Sequence, residues 1–171
     1  MFDPDDSWAQ QDQAEAWSRA MALFQDGYEL QTQGQWADAM ACYRQSLALH
    51  PTAEAHTFLG WVLSFLKLYD EAIEQCRQAI AIDPSFGNPY NDIGAYLIEM
   101  DRLAEAIPWF ERALMAPRYD ARCYPLYNLG RIYEKLGDWS RAIDYYRRAV
   151  SENPAYELAR SKLQALQARL N

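Results

Sequence analysis

The residues of this 171-residue chain that could do covalent, metal or acid–base chemistry are three cysteines, two histidines and twenty-four carboxylates. Their spacing argues against each chemistry in turn. Cys42, Cys76 and Cys123 form no Cys-x-x-Cys pair, so neither a zinc site nor a redox dithiol is spelled out. Cys42 and Cys76 fall among apolar residues, where a thiol behaves as a small hydrophobe. Cys123 falls near a helix start, the one position of the three suited to a reactive thiol. His50 and His56 flank Pro51 and make no metal-binding pattern. No Ser/His/Asp or Cys/His constellation, phosphate-cradling glycine loop or isolated carboxylate pair is present. The expectation is a protein with no catalytic residues, no metal and no cofactor. What the chain does offer is aromatic surface, at 14% of its residues.

The elements that position these rings follow from an internal repeat. Gly27, Gly60, Gly94 and Gly130 are spaced 33, 34 and 36 residues apart, and each has an alanine twelve residues on: Ala39, Ala72, Ala106 and Ala142. Pro51, Pro84, Pro117 and Pro154 close the four units. A period of about 34 residues marks a stacked supersecondary unit. Glycine inside a helical run costs about 0.5–1 kcal/mol against alanine. Four glycines at one phase therefore imply a close approach, for which the simplest partner is the alanine of a second helix in a hairpin. Gly34, Lys67, Asp101 and Gly137 fall in the turns, and the prolines end the second helices. Pro89 and Pro125 fit first turns, whereas Pro108 lies beyond one and should remove a hydrogen bond.

The segments Leu-Tyr-Asn-Leu-Gly-Arg-Ile-Tyr (126–133) and Gly-Asp-Trp-Ser-Arg-Ala-Ile-Asp-Tyr-Tyr-Arg-Arg-Ala (137–149) carry the clearest copy of the motif. On them the chain resembles the tetratricopeptide repeat family over residues 20–156. The resemblance implies an all-α fold, a right-handed solenoid of antiparallel helix hairpins. The divisions are an N-terminal extension (1–19), repeats at 20–52, 53–86, 87–122 and 123–156, and a capping helix at 157–171. Ala159, Leu163, Leu166 and Leu170 form the cap's apolar stripe. Residues 7–19 extend the first helix, with Asp6 or Ser7 as its N-cap. Asp26 replaces the Leu59, Ile93 and Leu129 of the other units, so the first helix should pack less tightly. The link from the third repeat to the fourth is two residues longer than the others and should alter the local step between repeats.

In such arrays the first helices line a concave groove. The resemblance then places Phe24 and Tyr28, Thr57 and Trp61, Asn91 and Ala95, Tyr127 and Arg131 on it. One turn on come Gln31, Ser64, Ile98 and Glu134, beside Thr32, Phe65, Glu99 and Lys135. Phe24, Tyr28, Trp61 and Phe65 would make an aromatic patch of the kind that marks a partner site. The alternative is that these rings pack against neighbouring helices or against Trp8 and Trp17. Asn91 and Asn128 suit the backbone of an extended peptide, since an amide both donates and accepts. A carboxylate clamp of the co-chaperone type is disfavoured, because Phe24, Tyr28 and Asp92 stand where its polar groups would be. Arg131 and Lys135 remain able to hold an acidic group.

Charge is unevenly spread. Residues 1–117 carry 18 acidic and 6 basic groups, and residues 118–171 carry 6 and 10. Nucleic acid is a poor partner for so acidic a chain. No apolar run approaches the roughly 20 residues that cross a bilayer, and the acidic start differs from a signal peptide, so a cytoplasmic protein is expected. The function these features support is a non-enzymatic scaffold, adaptor or assembly factor binding a peptide or extended segment of another protein. The alternatives are a chaperone for an exported or membrane-complex subunit, and a self-associating structural protein whose charge polarity favours head-to-tail contact.

Overall fold

A computed structural model describes residues 4–170, with side chains over 10–169. These residues form helices α1 (Pro4–Thr32), α2 (Trp36–Leu49), α3 (Ala53–Phe65), α4 (Tyr69–Ile82), α5 (Asn88–Glu99), α6 (Leu103–Met115), α7 (Cys123–Lys135), α8 (Trp139–Glu152) and α9 (Glu157–Leu170), and no strand. They fall into two compact units that divide after Asp83. The first holds the hairpins α1–α2 and α3–α4; the second holds α5–α6, α7–α8 and the closing helix α9. No helix among the described residues is long and apolar enough to cross a membrane.

The four repeat glycines do face a close approach; in the second hairpin the expected alanine, Ala72, is the nearest neighbour, but in the other three the partner is a ring. A methyl group on Gly94 would meet the Phe110 ring at 2.7 Å, one on Gly130 the Tyr146 ring at 2.6 Å, and one on Gly27 the Tyr43 ring at 2.9 Å. Each ring lies sixteen residues after its glycine, and all three rings are fully buried. The glycine is thus a seat for an aromatic side chain of the second helix. In the second hairpin the residue at this position is Cys76. There the backbone closes in instead, with Ala72 O 3.0 Å from the methyl position on Gly60 and Cys76 Sγ at 3.3 Å. The alanines at the second helices' contact points are still required, since all four are fully buried.

Every intra-hairpin turn is built alike. Gly34, Lys67, Asp101 and Gly137 all have positive φ, between 58° and 76°. The following N–H groups of Gln35, Leu68, Arg102 and Asp138 reach back five residues to the carbonyls of Leu30, Leu63, Leu97 and Tyr133 at 2.8–3.1 Å. This is the left-handed closure that satisfies the last carbonyls of a helix. Helix starts are capped where chemistry allows. Thr52 Oγ1 accepts from Ala55 N at 3.1 Å, and Asp138 Oδ1 accepts from Arg141 N at 3.0 Å. Pro89 and Pro125 lie in the first turns of α5 and α7, and α6 continues through Pro108.

At the first helix one expectation changes. α1 begins at Pro4, so Asp6 and Ser7 lie inside it and neither is its N-cap. Residues 10–19 continue its axis and are exposed apart from Ala16, which is half-buried. Trp17 is exposed, and the side chain of Trp8 lies outside the described residues. Asp26 is exposed, where its counterparts Leu59, Ile93 and Leu129 are buried.

In the second unit the long link between α6 and α7 turns back on the segment before α5. Gly87 N donates to Arg118 O (3.1 Å) and Arg118 N to Ser85 O (2.9 Å), a single parallel bridge. The Tyr119 Cβ would lie 2.3 Å from a methyl on Gly87. At the other end of this unit Ala159 and Leu166 of α9 are buried against the fourth hairpin, with Leu163 beside them. The side chain of Leu170 lies outside the described residues.

Gly94→Leu drives a branched side chain into Phe110. Overpacking of this kind costs about 3 kcal/mol, so a melt followed by circular dichroism should fall by roughly 10 °C for a chain of this size. A melt within a degree or two of the parent would show that the ring moves aside freely. Deleting residues 157–171 uncovers Tyr146, Ala149 and Leu126, and the shortened chain should aggregate or melt well below the full chain.

Candidate functional site

The aromatic residues of the first unit assemble from three helices. α1 supplies Phe24 and Tyr28, one turn apart. α2 supplies Trp36 and Tyr43, and α3 supplies Phe58, Trp61 and Phe65. They divide into two groups. In the inner group Phe24 contacts Tyr43 (ring centroids 5.6 Å) and the edge of Phe58 (5.3 Å), and Tyr28 meets Phe58 at 5.8 Å. In the outer group the rings of Trp36 and Phe65 stack at 4.5 Å with only 5° between their planes. Trp61 stands edge-on to Phe65 at 4.5 Å and to Trp36 at 6.2 Å.

Exposure separates the residues that hold the face from those that present it. Tyr43 is fully buried, and Phe24 and Phe58 are half-buried packing groups. Tyr28, Trp61 and Phe65 keep 42%, 37% and 50% of their surface exposed. Phe24 therefore supports the patch rather than forming its surface. Trp36 and Phe58 were not among the expected site residues. Trp36 stands three residues before the repeat alanine Ala39, at the start of the second helix rather than on a first helix, where site residues were sought. A side chain in the first turn of a helix leans toward that helix's N-terminus, and here that brings Trp36 over Phe65.

Several residues assigned to the groove are instead used internally. Gln31 is buried and accepts from the Tyr43 hydroxyl at 3.0 Å. Thr57 is buried with its hydroxyl on Ala53 O at 2.7 Å, and Ile98 is buried outright. Asn128 is buried and its Oδ1 accepts from Arg131 Nη1 at 3.2 Å. Arg131 also reaches Glu99 at 3.3 Å, and Lys135 pairs with Asp101 at 3.5 Å. Tyr127 is half-buried between Tyr146 (5.6 Å) and Tyr156 (5.2 Å). Asn91 donates through Nδ2 to Asp92 Oδ1 at 3.3 Å, and its own Oδ1 is buried without a hydrogen-bond partner.

Two carboxyl groups of the second unit are electrostatically distinct. Burial would raise the Glu134 pKa, but the Tyr146 hydroxyl (2.6 Å) and Lys162 (3.0 Å) outweigh it and hold the group below its usual value. The same carboxylate thereby ties α9 to α7. Asp92 is the opposite case. Burial lifts its pKa to about 7 against the opposing hydrogen bond from Asn91, and its charge acts on the buried Tyr119. A group of three His, Cys, Asp or Glu side chains suited to a metal ion does not occur among the described residues. His56 Nδ1 lies 2.7 Å from Gln75 Oε1, to which its N–H donates. Cys76 and Cys123 are buried, and burial followed by Asp26 and Asp38 raises the Cys42 thiol pKa, which makes it less nucleophilic.

Helix hairpins that seat a ring on a glycine at a 34-residue period, with aromatic surface on the first helices, define a repeat protein built for contact. Models of the tetratricopeptide repeat match residues 24–85, 88–119 and 124–156. The chain belongs to the tetratricopeptide repeat family. Anaphase-promoting complex subunit 3 of Schizosaccharomyces pombe is 28% identical over 131 residues, which are 76% of this chain and 19% of that protein. The ycf37 protein of Guillardia theta, which is uncharacterized, is 33% identical over 118 residues, 66% of this chain and 65% of its own. The chain thus spans a small part of the first relative and slightly under two thirds of the second. The solved structure of Pseudomonas aeruginosa pilF superposes with a TM-score of 0.83 at 24% identity, covering 92% of this chain and 70% of that one. At that identity the likeness is one of fold.

The environment of Asp92 has a measurable consequence. Its folded pKa of about 7 lies above the ordinary 3.8. The stability it contributes is therefore complete below about pH 4 and lost as the pH rises through 7. In urea titrations the advantage of Asp92→Asn over the parent should grow between pH 5 and pH 8. A difference that stays constant over that range would show that the carboxyl is well solvated.

Proposed function

We propose that this protein is a non-catalytic binding module that holds a segment of another protein on the aromatic face of its first unit. The observation that carries the reading is the outer ring group. Trp61 and Phe65 hold fixed orientations against Trp36, yet about two fifths to one half of their surface faces solvent. Rigid, exposed aromatic side chains lose little conformational freedom on binding, and large aromatics dominate interface hot spots. Family membership supports the same class, and the first relative is by name a subunit of a multiprotein complex. The residues Asn91, Tyr127, Asn128 and Arg131 take a smaller part in this reading, since Tyr127 packs between two rings, Asn128 and Arg131 bond each other, and Asn91 donates to Asp92.

The test is a displayed library of random twelve-residue peptides selected on the parent protein. Affinities are then compared for the parent and for Tyr28→Ala with Trp61→Ala. Two hot-spot aromatics at about 2 kcal/mol each predict a loss of about a thousandfold with unchanged helical content. Lost helicity would mean that the rings are structural. Unchanged affinity with intact helicity would remove the site from this face.

A further inference from the structure

The rings of the two units differ in one respect. Five arginines in the second unit lie over aromatic rings of their own chain. Among them are Arg118 on Phe86 and Arg141 on Tyr133, both at 4.3 Å, and Arg169 on Trp139 at 4.7 Å. All five pairs fall after residue 85. None of these arginines lies over Trp36, Trp61 or Phe65, although Trp61 and Phe65 are exposed and the three rings pack on one another. The first unit has only four basic residues, Arg19, Arg44, Lys67 and Arg77, against thirteen acidic ones. Lys67 is the nearest in sequence to Phe65 and stands in the turn at φ 60°. Asp26, Glu29 and Asp38 are exposed on the helices that supply Tyr28 and Trp36.

An electron-rich ring face attracts a guanidinium or ammonium group, most strongly on tryptophan. A unit with a surplus of nine negative charges adds a field of the same sign preference. We propose that the segment docked on the Trp36–Trp61–Phe65 face is cationic, and that one of its arginine or lysine side chains lies on these rings. The inference rests on the proposed binding face and adds the chemistry of its occupant. Neutral apolar segments gain from the rings alone, and acidic segments are repelled by the unit that carries them.

The same peptide selection separates the possibilities. Sequences selected by the parent and lost with Trp61→Ala should be enriched in arginine or lysine. Replacing the key arginine by citrulline, which keeps the shape and removes the charge, should weaken binding to the parent at least threefold. The same replacement should make much less difference to Trp61→Leu or Phe65→Leu, which keep apolar area and lose a ring. Ring-dependent peptides that are neutral or acidic, or a citrulline effect unchanged by both ring variants, would overturn the cationic occupant while leaving the docking face in place. Peptides indifferent to every ring variant would remove the face itself. Light scattering of the parent completes the set: a dimer that dissociates in Trp61→Leu would make a second copy the occupant and overturn the proposal.

Discussion

A missing side chain on each first helix, filled in three of the four hairpins by a ring of the second helix, sets the distance between the two. In three of the four hairpins the ring sits where the glycine's side chain would be, sixteen residues away along the chain. The ring fills the volume that would otherwise separate the helices, so burial of a large apolar group and close backbone approach occur together. The second hairpin reaches the same end by another route, with a cysteine in place of the ring and a carbonyl near the glycine. The α3 helix of this hairpin carries three rings outside the glycine contact, Phe58, Trp61 and Phe65.

The hairpins were legible in the sequence because repetition multiplies weak signals. One glycine in a helical run says little, whereas four at one phase with alanines and prolines in register leave few alternatives. The turns show the same effect. Alignment with Gly34 and Gly137 is what marks Lys67 and Asp101 as turn positions, and the structure adds that all four have positive φ. In the three hairpins with a ring the glycine's partner was not legible, because the twelve-residue and sixteen-residue spacings both lead to the facing helix. Only the direction of the side chain decides between them.

The face itself was half legible. Trp61, Phe65 and Tyr28 follow from their phase relative to the glycine, and they are the rings that stay exposed. Gln31, Thr57, Ile98 and Asn128 share comparable phases and are buried. Phase fixes the side of a helix but not how far a neighbour covers it. Trp36 eluded the reading for the complementary reason. It belongs to the first hairpin, yet its ring contacts are with Trp61 and Phe65 of the next one, a role that a single-hairpin template omits. The arginine-covered rings of the second unit show how the same aromatic content can be closed to partners when cations are available within the chain.

The bridge between Gly87 and Arg118 has a consequence for how the second unit opens. In an ideal repeat array each hairpin touches only its neighbours and can fray one step at a time. Here the segment entering α5 is hydrogen-bonded to the segment entering α7, and the Arg118 guanidinium lies on Phe86 across the same junction. The third hairpin is therefore enclosed between two points that are fastened to each other. Releasing α5–α6 breaks that fastening, and re-forming it closes a loop of about thirty residues. The third and fourth hairpins should then exchange their amide hydrogens as one cooperative block, with the amides of Gly87 and Arg118 reporting its opening.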